Sequence, residues 1–265
     1  MEKILWQHIQ SVKKTSPLVH NITNYVVMNN TANALLAAGA SPIMSHAQEE
    51  VKDMVSICQA LVINIGTLDP YWVESMRIAI SKANELSKPW VLDPVGAGAT
   101  AYRNNTLSEL LLLRPTVIRG NASEIMALAK TNVSHTKGVD STAESNEALH
   151  AAISLNKEYG SVVCVSGAID IVVGDGQIVY LRNGNPLMTK VTGLGCSATA
   201  IIGAFAGVID NKVEAVAAAM SLLAISGELA SKQSSGPGSL QTLLLDKLYN
   251  ITEAEFMKTI RISKD

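Results

Sequence analysis

Aromatic residues make up only 4% of the 265 positions, and there are only three cysteines. With so few rings, burial has to come from Ala, Val, Ile and Leu, which suits helices laid on a parallel sheet better than an aromatic-rich β-sandwich. Cys58, Cys164 and Cys196 are odd in number and widely spread. They match neither a disulfide framework nor a CxxC metal site, which points to a reducing, cytoplasmic setting. The N-terminal MEKILWQHIQSVKK is amphipathic but broken by His8 and Gln10, without the apolar stretch and cleavage site of a signal peptide.

Charge is scarce as well, with 21 Lys and Arg against 23 Asp and Glu for a net charge of -2. No basic run could neutralise a row of phosphates, so nucleic acid and anionic membrane drop out as expected partners. The uncharged stretch Val191 to Ile209 is about long enough to cross a bilayer. It contains four glycines together with Thr192, Ser197 and Thr199, and reads instead as a buried helix opened by a glycine loop. P-loop, GxSxG and HExxH signatures are missing, which removes the commonest NTPase, esterase and zinc-peptidase readings. A GxGxxA string, Gly96 to Ala101, comes mid-chain after Asp93-Pro94 and has no acidic partner about 20 residues on, so it is a weak dinucleotide fingerprint.

What the sequence does contain is a repeated alternation of short β-branched runs with longer segments of helical period, the pattern of an α/β protein with a mostly parallel sheet. The expected strands are 17–22, 41–45, 60–66, 90–95, 116–120 and 161–167. NYVVMNNTANALLAAGA reads as a helix ending at Gly39. After Gly167 the run AIDIVVGDGQIVYLRNGN reads as an antiparallel hairpin turning at Gly174, Asp175 and Gly176, placed at one edge of the sheet. From Gly195 onward the chain reads as almost wholly helical, split near Asp210 and Asn211, with a surface turn over 234–239. No composition break appears, so one domain is expected over 1–265.

In an open parallel sheet, ligands bind outside the carboxyl ends of the strands. Asp93 ends an apolar run there, and Arg119 with Glu124 follows the next one. Two carboxylates suit Mg²⁺, while Arg119 offers planar donors to phosphate. Asn121 and Glu124 also form a capping pattern for the helix NASEIMALAK. VTGLGCSATA is a glycine loop running into an apolar helix, a plausible anion site with Cys196 at the helix start, where a thiol pKa is lowered. Asn21 and Asn24 could hydrogen-bond a heteroaromatic ring, and Met28 and Met44 could wall it. Asn24 could equally cap the following helix.

Taken in order and spacing, PLVHNITNYVVMNNTANALLAAGASPIMSHA, NIGTL, VLDPVGAGAT, IRGNASEI and VTGLGC resemble the hydroxyethylthiazole kinase family of the ribokinase-like superfamily over nearly the whole chain. The resemblance implies a three-layer α/β/α fold and Mg²⁺-dependent transfer of a phosphoryl group from ATP to the hydroxyl of hydroxyethylthiazole. It also implies a homotrimer with active sites at subunit interfaces. Met44 and Gly193 would contact the thiazole, with Asn24 in the same pocket. Arg119 and Ser166 would contact ATP, with Asn121 and Gly195 on the nucleotide side. Asp93 and Glu124 would serve Mg²⁺, and Cys196 would stand where the wider superfamily has an Asp base. Two other readings are a ribokinase-like kinase for a different small molecule and a non-catalytic protein that binds a nucleotide or a thiamine precursor. Asp93, Glu124 and the GLGC loop together argue against a pure binder.

Overall fold

The computed structural model describes residues 1–130 and 141–265. Six strands, β1 (Leu18–Ile22), β2 (Ser41–Ile43), β3 (Ala60–Asn64), β4 (Trp90–Asp93), β5 (Val117–Asn121) and β6 (Val162–Ser166), pair in parallel in the order β2-β1-β3-β4-β5-β6. The sheet continues antiparallel through β7 (Asp170–Gly174), β8 (Gln177–Leu181) and β9 (Ile262–Lys264). All six expected parallel strands and the edge hairpin are present. Strand β9 departs from the helical expectation for the C-terminal part: it is too short to show a period of two, and it forms by pairing with the free edge of β8.

The helices are α1 (Glu2–Thr15), α2 (Met28–Ala38), α3 (Val51–Ile57), α4 (Pro70–Glu85), α5 (Ala101–Leu112) and α6 (Ala122–Lys130). They continue with α7 (Ser141–Tyr159), α8 (Leu194–Ala206), α9 (Lys212–Ser231), α10 (Pro237–Asn250) and α11 (Glu253–Thr259). Alternation along each strand divides the core in two. Val62, Val91, Val117, Cys164 and Val172 join the residues of α1, α2 and α8 to α11 on one face. Leu61, Ile63, Leu92, Ile118 and Val163 join those of α3 to α7 on the other. The result is the expected three-layer α/β/α arrangement.

Side-chain caps start several helices where the sequence places Asp, Thr or Asn, as with Asp69 accepting Trp72 N–H at 3.0 Å and Asn211 accepting Glu214 N–H at 3.0 Å. The helix expected from Asn24 begins later, at Met28, with Val27 in the cap position and no side-chain cap. Asn24 does not cap it because its amide is turned inward. The suspected bilayer-length stretch is the 13-residue α8 with its flanking turns. Among the described residues, the neighbouring α9 is the one helix long and apolar enough to cross a membrane, yet 83% of its apolar window is packed inside the protein, as in a core helix.

Candidate active site

The parallel register sets polar residues side by side at the carboxyl edge. Asn64, the last residue of β3, is paired with Asp93, the last residue of β4, and Asn121 of β5 is paired with Ser166 of β6. Helix α8 begins over this edge. Its first internal bond runs from Ser197 N–H to the Gly193 carbonyl at 2.9 Å, so the N–H groups of Leu194, Gly195 and Cys196 stay outside its ladder, free to meet an anion. Gly193 has φ +79°, and a Cβ there would come within 2.6 Å of Val27. A Cβ at Gly195 would come within 2.7 Å of the Arg119 guanidinium, so the absence of a side chain is what lets Arg119 lie against the loop.

Asp93 is 1% exposed. Its Oδ2 accepts two hydrogen bonds, from Asn64 Nδ2 at 2.7 Å and from Thr199 Oγ1 at 2.9 Å. Burial pushes its carboxyl up to about 6; the Arg119 charge pulls it back down, and Glu124 adds repulsion. Glu124 is oriented by backbone amides, with Oε1 accepting Gly96 N–H at 3.0 Å and Oε2 accepting Asn121 N–H at 2.8 Å. The GxGxxA turn thus serves to hold a carboxylate. Among the described residues no three His, Cys, Asp or Glu side chains cluster as a ready metal cage. Two carboxylates whose charges interact, one of them with Oδ1 taking no hydrogen bond among the described residues, fit Mg²⁺, which completes its shell with waters and phosphate oxygens.

Beside this edge lies a cavity of about 590 Å³ lined by Arg119, Ser166, Asp170, Arg182, Asn183, Gly195 and neighbouring apolar residues of α8 and α9. Arg119 donates to Ser166 Oγ at 2.7 Å, and its buried Nε has no protein partner, leaving a donor for a ligand. The structure therefore brings Arg119, Ser166 and Gly195 together around one cavity, with Asp93 and Cys196 outside its lining. Asn121 is exposed at the end of β5; its Oδ1 accepts Glu124 N–H at 2.9 Å and Ser123 Oγ–H at 2.7 Å, so the capping pattern is realised.

Three expectations change. Cys196 sits at the helix start, but burial pushes its thiol up to about 11 and the Asp93 charge pushes the same way, outweighing the amides of Asn64 and Asn24 and the Arg119 charge. The lowered thiol pKa expected from the helix terminus is not realised, because desolvation is the larger effect. Asn24 has both its donors committed, to Asn64 Oδ1 at 2.8 Å and to Cys196 Sγ at 3.6 Å, while its Oδ1 accepts Val26 N–H at 3.1 Å. Asn21 donates to the carbonyls of Val19 and Ile43. Neither amide donor is free for a heteroaromatic ring, whereas the buried Asn21 Oδ1 has no partner among the described residues and keeps its accepting capacity. Met44, partly exposed, follows the last residue of β2 beside β1, and Met28 packs on the α3 to α7 core.

Asn64, Thr199 and Asp170 were not singled out by sequence reasoning. Asn64 ends an apolar strand just as Asp93 does, a signal that could have found it. Asp170 is 6% exposed in the cavity wall, where burial raises its carboxyl to about 6 although Gly167 N–H donates to it at 3.0 Å and Arg119 is near. Its folded pKa lies above the ordinary value of about 4, so its contribution to stability is present below pH 4 and lost as pH rises through 6. Asp170→Asn, which still accepts from Gly167, is expected to raise the melting temperature at pH 7.5 by about 3 °C, with the gain closing below about pH 4. Thermal melts at the two pH values check it, and equal melting temperatures at pH 7.5 would contradict it.

The three-layer α/β fold with its mostly parallel sheet is that of the ribokinase-like proteins. A ribokinase-like superfamily protein from Enterococcus faecalis superposes with TM-score 0.65 at 14% identity, covering 94% of each chain. Pyridoxal kinase from Staphylococcus aureus, in complex with AMP-PCP and pyridoxal, superposes at 0.68 and 14%, covering 94% of this chain and 98% of that one. Within that class the chain belongs to the hydroxyethylthiazole kinase family, which residues 9–254 match. Hydroxyethylthiazole kinase of Syntrophus aciditrophicus is 55% identical over 258 residues, covering 97% of this chain and 96% of its own. The structure of the hydroxyethylthiazole kinase protein from Pyrococcus horikoshii superposes with TM-score 0.92 at 41% identity over the whole of both chains.

Proposed function

We propose that this chain is an ATP-dependent kinase that phosphorylates the primary hydroxyl of 4-methyl-5-(2-hydroxyethyl)thiazole, a step of thiamine biosynthesis and salvage. The observation that carries the reading is the convergence of Asp93, Arg119 and the free N–H groups of Leu194, Gly195 and Cys196 at one sheet edge, beside a cavity large enough for a nucleotide.

Arg119 and Ser166 hold the nucleotide phosphates on the cavity side, with Gly195 and Asn121 at its border. Asp93 and Glu124 would hold Mg²⁺, which when bound would supply positive charge against the phosphate oxygens. The α8 amides stabilise charge on the transferring group. Met44, Gly193 and Asn24 frame the thiazole side, Asn24 by orienting Cys196 and Asn64 and not through a bond to the ring. Phosphoryl transfer passes through a loose transition state, so positioning and charge neutralisation dominate and the alcohol proton leaves late; Cys196 takes it in its thiolate form, a small fraction at neutral pH because burial holds the thiol up at about 11.

The residues 1–265 act as one domain in this reading, and the protein acts as a homotrimer with active sites at subunit interfaces. Tyr25 and Val26, 61% and 63% exposed directly after Asn24, support that interface. Three free thiols support a reducing, cytoplasmic setting. ADP release from ATP and Mg²⁺ is expected with hydroxyethylthiazole and not with hydroxymethylpyrimidine, pyridoxal or ribose. Tight thiazole binding with no ADP release would point to a binding protein.

A further inference from the structure

We propose that Asn64 is a positioning residue that couples the alcohol side of the site to the metal side and fixes which oxygen of Asp93 faces the reaction. The inference rests on the kinase reading above. Asn64 is buried, and every polar atom of its side chain is committed in one direction only. Its Oδ1 accepts from Asn24 Nδ2 at 2.8 Å and from Gly66 N–H at 2.9 Å, while its Nδ2 donates to Asp93 Oδ2 at 2.7 Å. Turning the amide over would set nitrogen against two donors and oxygen against a carboxylate, leaving buried groups unsatisfied. The orientation is therefore locked.

The lock propagates both ways. At one end, Asn64 and Thr199 donate to the same oxygen of Asp93, so Oδ2 is filled and Oδ1 is the oxygen left for the reaction side. At the other end, Asn24 accepts Val26 N–H through its own oxygen, so its nitrogen faces both Asn64 and Cys196 Sγ. Asn64 is thus the side chain that joins Asp93 to the Asn24–Cys196 pair. A carboxylate held only by Thr199 could rotate, and an Asn24 without Asn64 would lose one of its two inward bonds.

The two ends can be separated by experiment. Asn64→Asp keeps the acceptor for Asn24 and Gly66 but replaces the amide donor with a second carboxyl against Asp93, so that the two share one proton or repel, whereas Asn64→Ser shortens the side chain and weakens both ends. Thr199→Val removes the other donor on Asp93 Oδ2 and leaves the Asn24 end intact. Measured in the full-length enzyme, Asn64→Ser is expected to lower kcat by about 10- to 100-fold, the range typical of groups that orient metal ligands. It should also raise the Mg²⁺ concentration for half-maximal rate and weaken hydroxyethylthiazole binding, followed by calorimetry without nucleotide or metal. Asn64→Asp and Thr199→Val should show the Mg²⁺ defect with thiazole binding close to that of the parent. If Asn64→Asp does not fold, the contrast between Asn64→Ser and Thr199→Val carries the test. A folded Asn64→Ser with parental kcat, Mg²⁺ dependence and thiazole affinity overturns the proposal, as does one that loses rate with both dependences unmoved. A parent enzyme that releases no ADP with the thiazole overturns the kinase reading instead, and the metal-free calorimetry still reads the Asn24 end.

Discussion

Asp93→Asn is expected to lower kcat about 10³-fold, since a bound cation supplies several kcal/mol of charge stabilisation and each factor of ten is about 1.4 kcal/mol. The variant should also be more stable than its parent. Asp93 is fully buried, with its carboxyl raised to about 6 against an ordinary value near 4, so keeping it ionised at neutral pH opposes folding. Stability from this group is complete below pH 4 and lost as pH rises through 6. Asparagine removes that dependence and can still accept from Asn64 and Thr199 through its carbonyl oxygen. The melting temperature at pH 7.5 should therefore rise by about 5 °C, with no gain below about pH 4. Activity and stability moving in opposite directions is the mark of a residue kept for function. Steady-state rates and thermal melts of the two proteins check it; a kcat within about tenfold of the parent would remove Asp93 from the machinery.

Cys196→Ala is expected to lower kcat by about 10²-fold, the lower end of what a general base provides. The thiol is held up at about 11, so it is protonated at neutral pH and a poor match to the ideal proton acceptor. A loose transition state asks little of the base, because the alcohol becomes acidic only as the new P–O bond forms. Thiazole affinity, measured without nucleotide, should change little, since Asn24 keeps its bond to Asn64 when Sγ is removed. Full activity in the alanine variant would show that positioning alone carries the step.

Much of the sheet was legible because its strands are runs of Val, Ile and Leu ending in polar residues, and because the GDG turn marks the hairpin unmistakably. Strand β9 was not, since three residues carry no period and its place is decided by an edge formed more than 80 residues earlier. The polar edge was legible where a residue type is odd for its setting: a carboxylate closing an apolar strand at Asp93, or an Arg inside one at Arg119. Capping by Asn121 and Glu124 followed from spacing alone. The pairing of Asn64 with Asp93 depends on strand register, which spacing along the chain does not carry. Nor could local sequence show that desolvation outweighs the helix terminus at Cys196, because burial is a property of the assembled layers.

The setting that makes Cys196 a reluctant proton acceptor has a second effect. Peroxide and disulfide exchange act on thiolate, and their rates follow the deprotonated fraction. Burial raises Cys58 and Cys164 as well, and none of the three is an exposed side chain. The protein thus carries its sulfur mostly as protonated thiol, and oxidation by peroxide is expected to be slow: at Cys196 the same desolvation leaves little thiolate, whether to accept a proton or to be oxidised.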